Sequence, residues 1–534
     1  MSLQVFDIDD EIHCIHHQFV RQAILHPQKI AVILEEQAVT YSEVLYHVQI
    51  LSLYLIQESD VKKGDIIFQC VERSIEMIIG ILAIMTTGCV YCPLNPVDSF
   101  LSLKVLMDDI HANTGLLHTK TENKFNTTIN DNNIHFVNSQ EIINNSANKT
   151  VISDENLHEL SSVDVTIEDT AYIICTSGST GKPKAIQSLH RNIAVYSKLL
   201  DQQNIYNQPA TIIQIAGCSW ILHSYEIFSA LSSGATLIML KPDGNRDINY
   251  LTEVIETKQV TSMWVSPSTM RILCAFLQTT NQGHRLKTIR NFCTAGEIMK
   301  RKLVSLLASH LSADARIYNI YGSSECGNIT AYLINNPHEI NSSTVMPIGR
   351  PLSSYQCYIL NDEMQPANLD QIGEVYIGGP GVFKGYVCPI LTEKALINIP
   401  GVKEKCFRTG DLAKYNSNGE IIYVSRTDFQ IKIHSQYIET GEIENVILAS
   451  CNDISDCIVV KVSNEKSEQD CVAAYIELSS LQLERDNLSL ESHIQEYCRS
   501  RLPLHMIPSS FIILNKLPLN SNGKVDRKQL PVNK

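Results

Sequence analysis

The sequence predicts an α/β protein: a large N-terminal domain of sheets flanked by helices with a β-rich subdomain, followed by a small α+β domain. The chain has 534 residues, more than the roughly 100–200 of one ordinary domain. Strand-like and helix-like apolar patterns alternate through its N-terminal part, and after Ile348 short strands punctuated by glycines replace them. The last segment, from about Arg426, mixes both types.

The N-terminal part begins with helical apolar spacing at 12–24 and 42–56. A strand at 65–71 followed by a helix at 75–85 is typical of the first half of a βαβ unit. Residues 111–150 are rich in Asn, Thr and Lys, and we expect a polar surface stretch with one strand at 134–137. Further strands are predicted at 30–34, 171–175, 210–215, 236–240 and 261–265.

The glycine-punctuated part predicts a sheet-rich subdomain that ends near Val424. We therefore place the boundaries of the N-terminal domain at 1–424 and those of the C-terminal domain at 428–534. Within the latter we expect a strand at 473–476 and a helix at 490–501, with Ser489 as its N-cap.

Composition and charge exclude several classes of protein. Hydrophobic residues make up 44% and charged residues 19%, which argues against a disordered chain. The net charge of −14, without a basic block, argues against nucleic-acid binding. An acidic chain can still bind an anionic nucleotide, but only by gathering its few cations locally.

The compartment is predicted from the N-terminus, the hydropathy and the cysteines. No basic start leads into an apolar run, and no stretch approaches the roughly 20 apolar residues of a membrane helix. The 16 cysteines are scattered, as is typical of reduced thiols in the cytosol rather than of a disulfide framework. We expect a cytoplasmic protein that does not bind a membrane.

A loop rich in glycine, hydroxyls and lysine carries the strongest chemical signal. Residues 172–184 read YIICTSGSTGKPK, an apolar strand that leads into the loop, with a helix beginning near Leu189. The glycines let backbone N–H groups converge, and the hydroxyls and lysines can hold phosphate oxygens. The pattern is not a Walker A loop, because Lys182 precedes a proline. By itself the segment also fits a flexible Ser/Gly turn; its candidate phosphate ligands are Thr176, Ser177, Gly178, Ser179, Thr180, Gly181, Lys182 and Lys184.

Six further segments follow in order: NIYGSSE at 319–325, GEVYIGGPG at 373–381, FRTGDL at 407–412, RTDFQIK at 426–432, LPLHMIP at 502–508 and NGKVDR at 522–527. With the loop they make the chain resemble the adenylate-forming enzymes: acyl-CoA synthetases, luciferases and the adenylation domains of nonribosomal peptide synthetases. The similarity covers nearly the whole chain and is greatest to a stand-alone adenylation domain.

The resemblance implies that ATP and a carboxylic acid give an acyl-adenylate and pyrophosphate, after which the acyl group passes to a thiol. Cations and Mg²⁺ would offset the charge where the two anions meet. Glu325 would help hold Mg²⁺, Tyr321 would stack on adenine, and Asp411 would accept hydrogen bonds from the ribose hydroxyls. The ATP site implied beyond the loop comprises Asn319, Tyr321, Gly322, Ser324, Asp411, Tyr423 and Arg426.

In this family the C-terminal domain is mobile and serves both half-reactions, rotating about a hinge that corresponds to Asp428. Lys524 would contact the carboxylate and the α-phosphate during adenylation. The loop from Lys432 would then face a phosphopantetheine thiol, carried by a separate carrier protein or by CoA. Relatives carry Arg-Gly-x-Arg in this loop, whereas residues 434–437 read HSQY, which makes thiol transfer less secure than adenylation.

The acyl pocket departs from the family pattern as well. In adenylation domains an aspartate pairs with the α-ammonium of the substrate, and the register from Glu226 places Ile221 at that position. Because an ammonium group buried against isoleucine lacks a counter-ion, we expect an α-keto, α-hydroxy, aryl or aliphatic acid unless another carboxylate compensates. The implied lining is Ile221, Leu222, Tyr225, Trp264, Cys293, Ala295, Ile320, Asn328 and Ile329, which contains no carboxylate.

Two alternatives stay open. One is an acyl-CoA synthetase, distinguished by its use of free CoA. The other is a degenerate nucleotide-binding regulatory protein, which the altered 434–437 loop and Ile221 would favour. Lys524, Asp411, Glu325 and the phosphate loop argue against the second, because a decayed site would have lost some of them.

Overall fold

The computed structural model describes residues 13–125, 134–146, 152–176, 183–202, 205, 209–334, 346–427, 431–433, 436–438, 440–451, 453–464, 469–478, 487–518 and 529–531. Within these ranges the order of helices and strands follows the predicted plan of an α/β core, a β-rich subdomain and a small α+β domain.

The helices are α1 Ile15–Leu25, α2 Tyr41–Gln57, α3 Ile75–Thr86, α4 Phe100–Ile110, α5 Ser139–Ser146, α6 Asp154–Ser161, α7 His190–Gln202, α8 Ile221–Ser232, α9 Ile248–Thr257, α10 Pro267–Thr279, α11 Arg301–Ala308, α12 Pro389–Ala395, α13 Thr440–Ser450 and α14 Asn487–Arg501. The strands of the α/β core are β1 Ile30–Leu34, β2 Gln37–Thr40, β3 Ile66–Cys70, β4 Val90–Pro93, β5 Thr114–Leu117, β6 His135–Asn138, β7 Thr170–Thr176, β8 Lys184–Leu189, β9 Thr211–Gln214, β10 Thr236–Met239, β11 Ser262–Val265, β12 Asn291–Ala295, β13 Arg316–Ser323, β14 Gly327–Leu333 and β15 Arg350–Pro351. The later strands are β16 Gln356–Leu360, β17 Gly373–Gly378, β18 Gly385–Tyr386, β19 Leu396–Ile397, β20 Cys406–Tyr415, β21 Ile421–Arg426, β22 Ile431–Ile433, β23 Gln436–Ile438, β24 Ile454–Asn464, β25 Gln469–Leu478 and β26 Ser510–Leu514.

Two largely parallel sheets form the core. One has nine strands in the order β15-β14-β13-β12-β11-β9-β10-β1-β2, and the other has seven in the order β18-β8-β7-β4-β3-β5-β6. A single hydrophobic cluster joins residues of both sheets to α2, α3 and α8. All twelve residues of α8 are buried, so this helix lies inside the domain with Glu226 as its one acidic residue. Its first turn forms a wall of the site described below.

The predicted elements are largely confirmed, but the region 111–150 is more structured than we expected. Besides the strand β6, it contains the buried strand β5 and the helix α5. The four residues of β5 read TGLL, too short a run to show a period, and parallel pairing with β3 and β6 makes them a strand.

The phosphate loop connects two strands. β7 and β8 are antiparallel, and Thr176 and Lys184 face each other at the ends that flank the loop. The strand β8 was not predicted from the sequence. The helix predicted after the loop is α7, which begins at His190. The hairpin fixes both flanks of the loop.

The β-rich subdomain is a five-stranded sheet ordered β16-β17-β20-β19, with β21 paired to β20. Its last strand, β21, ends at Arg426, which pairs with Asp411 across the two strands. The subdomain joins the nine-stranded sheet where the backbone N–H of Ile421 donates to the carbonyl oxygen of Gly349 at 2.8 Å.

The C-terminal domain has a two-stranded sheet, β22-β23, and a three-stranded sheet, β24-β25-β26, with α13 and α14. The predicted N-cap at Ser489 is wrong. The helix α14 begins at Asn487, which places Ser489 inside its first turn. This domain contacts the N-terminal domain where the Ser99 hydroxyl, which caps α4, donates to the Ser500 carbonyl oxygen at 2.8 Å.

Gly349 provides a test of the junction between the sheets. Its φ is +90°, and a Cβ atom built there would lie 2.1 Å from the carbonyl oxygen of Ala331. Gly401 has a similar φ of +82° but open space around it. We expect Gly401→Ala to cost roughly 1–2 kcal/mol from backbone strain alone. Gly349→Ala should cost roughly 1–3 kcal/mol more, because the backbone must also shift. Urea unfolding of both variants measures the difference, and equal losses would contradict the clash.

Candidate functional site

Asp411 is the centre of a buried polar group between the sheets. It lies on β20, is 2% exposed, and accepts hydrogen bonds from the Tyr321 hydroxyl at 2.6 Å and from Arg426 Nη1 at 2.8 Å. Tyr321 belongs to β13 of the nine-stranded sheet, and Arg426 is the cross-strand partner of Asp411 on β21. Both carboxylate oxygens are thus held, one from each sheet. The predicted stacking of Tyr321 on adenine and the ribose contacts of Asp411 stay predictions.

Beside this group lies a polar cleft of about 360 Å³. Its cationic lining residues are Lys184, Lys394, Arg408 and Arg426, and its acidic ones are Glu325 and Glu374. Glu374 accepts two hydrogen bonds from Arg408, at 2.8 and 2.9 Å. The lining carries a net charge of +2, or +1 once the adjoining Asp411 that pairs with Arg426 is included, in a chain of −14. A local cationic excess is what we expect where an acidic protein binds a polyanion.

Glu325 is placed in the cleft by its backbone and its side chain. It lies in the turn between β13 and β14, where its carbonyl oxygen accepts from the N–H of Phe383 at 2.8 Å. Its Oε1 accepts from the Tyr386 hydroxyl, also at 2.8 Å. A hard carboxylate at a phosphate site suits Mg²⁺ held mainly by phosphate oxygens. Within the described ranges no group of three or more His, Cys, Asp or Glu side chains could hold a metal alone.

An apolar cavity of about 130 Å³ adjoins the polar cleft. The two share Thr176, Ser323 and Ser324, so their contents would meet at these hydroxyls. Gly322 lines the apolar cavity too. Of the nine residues predicted for the acyl pocket, the structure brings together five: Ile221, Leu222, Tyr225, Ala295 and Asn328.

The other predicted residues lie in the framework. Trp264, Cys293, Ile320 and Ile329 are buried in the hydrophobic core and do not line the cavity. Asn319 donates to the Pro347 carbonyl oxygen at 2.7 Å, and Tyr423 pairs with Ala413 between β20 and β21.

The wall of the apolar cavity depends on a close approach at Gly327. A Cβ atom there would lie 2.1 Å from the Tyr225 hydroxyl oxygen, so only glycine leaves room for that ring. Tyr225 and Tyr196 have ring centroids 4.2 Å apart, and the Tyr196 hydroxyl accepts from the Asn328 amide at 2.9 Å. This arrangement fixes the side chain of Tyr225 against the β13–β14 hairpin.

Two protein-family models match this chain. The model of the AMP-binding enzyme family matches residues 19–387, and that of the AMP-binding enzyme C-terminal domain matches 442–524. The chain belongs to the AMP-binding enzyme family. The resemblance to adenylate-forming enzymes and the predicted fold are thereby confirmed.

Among the relatives, gramicidin S synthase 2 of Brevibacillus brevis is 32% identical over 97% of this chain, which spans 11% of that protein. The fused adenylation–PCP protein NpsA-ThdA from Klebsiella oxytoca superposes with a TM-score of 0.80 at 25% identity, covering 94% of both chains. The N-terminal subdomain of Klebsiella oxytoca NpsA, in complex with 3-hydroxybenzoyl-AMSN, has a TM-score of 0.67 and 26% identity, covering 78% of this chain and all of that one.

Several residues that the family resemblance implies lie outside the described residues. These are Ser177, Gly178, Ser179, Thr180, Gly181, Lys182, Asp428 and Lys524, and the side chain of Lys432 is likewise not described. Their roles stay predictions. The described helices include none that is long and apolar enough to cross a bilayer.

A buried hydrogen-bond network behind α8 was not predicted from the sequence. The carboxylate of Glu226 accepts from the N–H groups of Ile215 and Ala216 and from the Gln214 amide, each at 3.0 Å to Oε2. Arg73 donates to the carbonyl oxygens of Gln214, Ile215 and Ala216 at 2.6 to 3.0 Å. The network therefore fixes the chain where β9 ends, next to the first turn of α8. The acidic residue in an otherwise apolar helix could have indicated this network, but Arg73, which bonds to the same segment, is remote in sequence.

The carboxylates that line the apolar cavity were not predicted from the sequence either. Asp98, which is 8% exposed, and Glu442 of α13 both line it. Pro503, His505 and Met506 of the C-terminal domain line it as well. The predicted lining without carboxylates thus describes the part of the cavity that α8 forms, whereas buried acidic groups from both domains line the rest.

Glu226 yields a prediction about pH. Burial raises the pKa of Glu226 to about 8, against the opposing effects of the Ala216 N–H and Arg73. The ordinary pKa of a glutamate is 4.5, so the unfolded state loses this proton above pH 4.5, whereas the folded state holds it up to about pH 8. The resulting stability is complete below pH 4.5 and declines as the pH rises towards 8. Relative to Glu226→Gln, the wild-type protein should lose roughly 3 kcal/mol between pH 5.5 and 8, at about 1.4 kcal/mol per pH unit.

Urea unfolding at several pH values measures this difference. Glu253 of α9 is exposed, and Glu253→Gln serves as the matched control that should follow the wild-type curve. Parallel curves for the wild-type protein and Glu226→Gln would show that Glu226 is ionised in the folded protein.

Proposed function

We propose that this protein activates a carboxylic acid with ATP as an acyl-adenylate, releasing pyrophosphate, and then transfers the acyl group to a phosphopantetheine thiol of a separate carrier protein. One observation carries the proposal: a cationic cleft and an apolar cavity meet at Thr176, Ser323 and Ser324. A triphosphate in the cleft and an acid in the cavity would have their reacting ends at this junction.

The residues around the junction have the charges that the first step needs. A carboxylate oxygen must approach an α-phosphate, so negative charge must be offset where the two anions meet. Lys184 and Arg426 line the cleft on this side, and the loop that contains Lys182 begins at Thr176. Mg²⁺ would be held by Glu325 together with the phosphates and would supply further positive charge.

The proposed acid lacks an α-ammonium group. Ile221 begins α8 at the wall of the cavity, where Leu222 and Tyr225 follow it. In support, the subdomain of the relative NpsA binds a 3-hydroxybenzoyl analogue, whose acyl part has no α-amino group. Asp98 and Glu442, which line the same cavity, favour the second candidate, an amino acid whose ammonium group pairs with a carboxylate other than residue 221.

Carrier transfer is supported by relatives. NpsA-ThdA is an artificial fusion of an adenylation domain with a PCP, PA1221 contains both kinds of domain, and the chain spans only about a tenth of gramicidin S synthase 2. Free CoA is the alternative acceptor. Comparing CoA with a carrier protein bearing phosphopantetheine, at equal thiol concentration, would separate the two.

The substrate class can be tested by ATP–pyrophosphate exchange over a panel of aryl, α-keto, α-hydroxy, aliphatic and α-amino acids. We expect exchange with an acid of the first four classes to exceed that with every proteinogenic amino acid by at least tenfold, about 1.4 kcal/mol of discrimination. Preference for an amino acid would contradict the substrate class but not the activation chemistry. No exchange with any acid would favour the degenerate regulatory protein.

A matched pair of variants sharpens the panel. Ile221→Asp should raise exchange with α-amino acids relative to the preferred acid, since it supplies the missing counter-ion. Leu222→Asp adds the same charge one residue further along α8 and should not produce the gain. If Leu222→Asp alone produced it, residue 221 would not be the ammonium position.

Lys524 provides the test of mechanism. If it stabilises charge on the carboxylate and the α-phosphate, Lys524→Ala should lower pyrophosphate exchange by roughly 10²–10³, the scale for one preorganised donor. Lys516→Ala is the control, since Lys516 is an exposed lysine of the same domain. Near-wild-type exchange by Lys524→Ala would remove this lysine from adenylation.

A further inference from the structure

Residues of both domains line the apolar cavity. Asn95 and Asp98 line it from the loop between β4 and α4, and Glu442, Pro503, His505 and Met506 line it from the C-terminal domain. The bond from Ser99 to Ser500 joins the same two regions, because Ser99 follows Asp98 and Ser500 lies at the end of α14. His505, four residues beyond α14, is partly exposed and lines the cavity from the C-terminal domain, as Pro503 and Met506 do.

A thiol that attacks an acyl-adenylate must lose its proton. An ordinary thiol has a pKa near 8.5, so it is mostly protonated at neutral pH, and the thiolate is the nucleophile. A base whose own pKa lies near neutrality, within reach of the sulfur, would accelerate the step.

Few groups along the cavity can be that base. Burial raises the pKa of the Cys175 thiol to about 12 and places the pKa of the Tyr225 hydroxyl well above its ordinary value, so neither ionises at neutral pH. The other titratable groups among the described lining residues are Asp98, Glu442 and His505. Burial raises the pKa of the Asp98 carboxyl to about 6, close to that of ordinary imidazole, so basicity alone does not separate the two. Asp98 and Glu442 are buried, whereas His505 is half-exposed and can pass a proton to water. The carboxylates in the same cavity would stabilise the imidazolium that forms.

We propose that His505 accepts the proton of the incoming thiol in the thioester-forming step. This inference rests on the proposed function. The sulfur forms a bond to the acyl carbon, and the bond from that carbon to the phosphate oxygen breaks, so that its electron pair leaves with AMP. The thiol proton moves to the imidazole nitrogen and from there to solvent. The products are the thioester, AMP and one proton, with no oxidation or reduction.

The test compares the two half-reactions in one preparation. Pyrophosphate exchange reports adenylation without a thiol, and single-turnover formation of acyl-pantetheine, with free pantetheine as the nucleophile, reports transfer. We expect His505→Gln to lower the transfer rate by roughly 10²-fold, the lower end for loss of a general base, and to lower exchange far less. The wild-type transfer rate should rise with pH through the range in which imidazole titrates, and this inflection should vanish in His505→Gln. Added imidazole should restore part of the rate in His505→Ala.

Two control variants make the result specific. His493 is an exposed histidine on α14 of the same domain, and His493→Gln should keep both the rate and the pH inflection. Asp98→Asn removes the other candidate base and should keep the inflection while changing its position.

The proposal is overturned if His505→Gln keeps the wild-type transfer rate, or if it lowers both half-reactions in the same proportion. It is overturned as well if Asp98→Asn abolishes the inflection and His505→Gln retains it. Absence of thioester with pantetheine, CoA and a pantetheine-bearing carrier protein would also overturn it. In that last case continued pyrophosphate exchange would leave acid activation standing, so the two failures can be told apart.

Discussion

The arrangement of the site depends on one buried carboxylate that accepts hydrogen bonds from residues of two different sheets. Asp411 is almost fully buried, so its charge must be balanced by partners, and Tyr321 and Arg426 supply them from different sheets. Because leaving such a charge without partners is costly, the nine-stranded sheet and the β-rich subdomain are held in one relation. That relation determines where the polar cleft lies and how it meets the apolar cavity.

Much of the fold was predictable from local pattern. The helices α1 and α2 carry apolar residues at helical spacing, and Thr40 caps α2 with a capping box in which Glu43 takes part. The failures came where pairing between distant strands decides the structure. β8 is polar enough to resemble a loop, yet it is a strand because β7 and β18 flank it, and β5 is too short to show a period. Ser489 failed as a cap because α14 starts earlier than its apolar residues indicate.

The residues of the candidate site were likewise predictable only in part. Glu325, Asp411 and Arg426 belong to short motifs that follow one another in the order typical of the family. The structure places them together because β13, β20 and β21 converge there. Arg73 and Asp98 stand in no such pattern. Arg73 contacts residues more than a hundred positions away in the sequence. Asp98 lines a cavity together with residues of the C-terminal domain. Such contacts cannot be read from local sequence patterns.

The complete burial of α8 ties the choice of acid to the integrity of the protein. The same helix that presents Ile221 to the cavity fills the space between the sheets, so its residues cannot be exchanged for that one purpose alone. A smaller side chain that admits a bulkier acid also loses its packing contacts, and space that neither the acid nor the neighbours fill costs about 24 cal/mol per Å³. Evolution towards a new acid would therefore proceed through paired changes, one in α8 and one in the layer behind it.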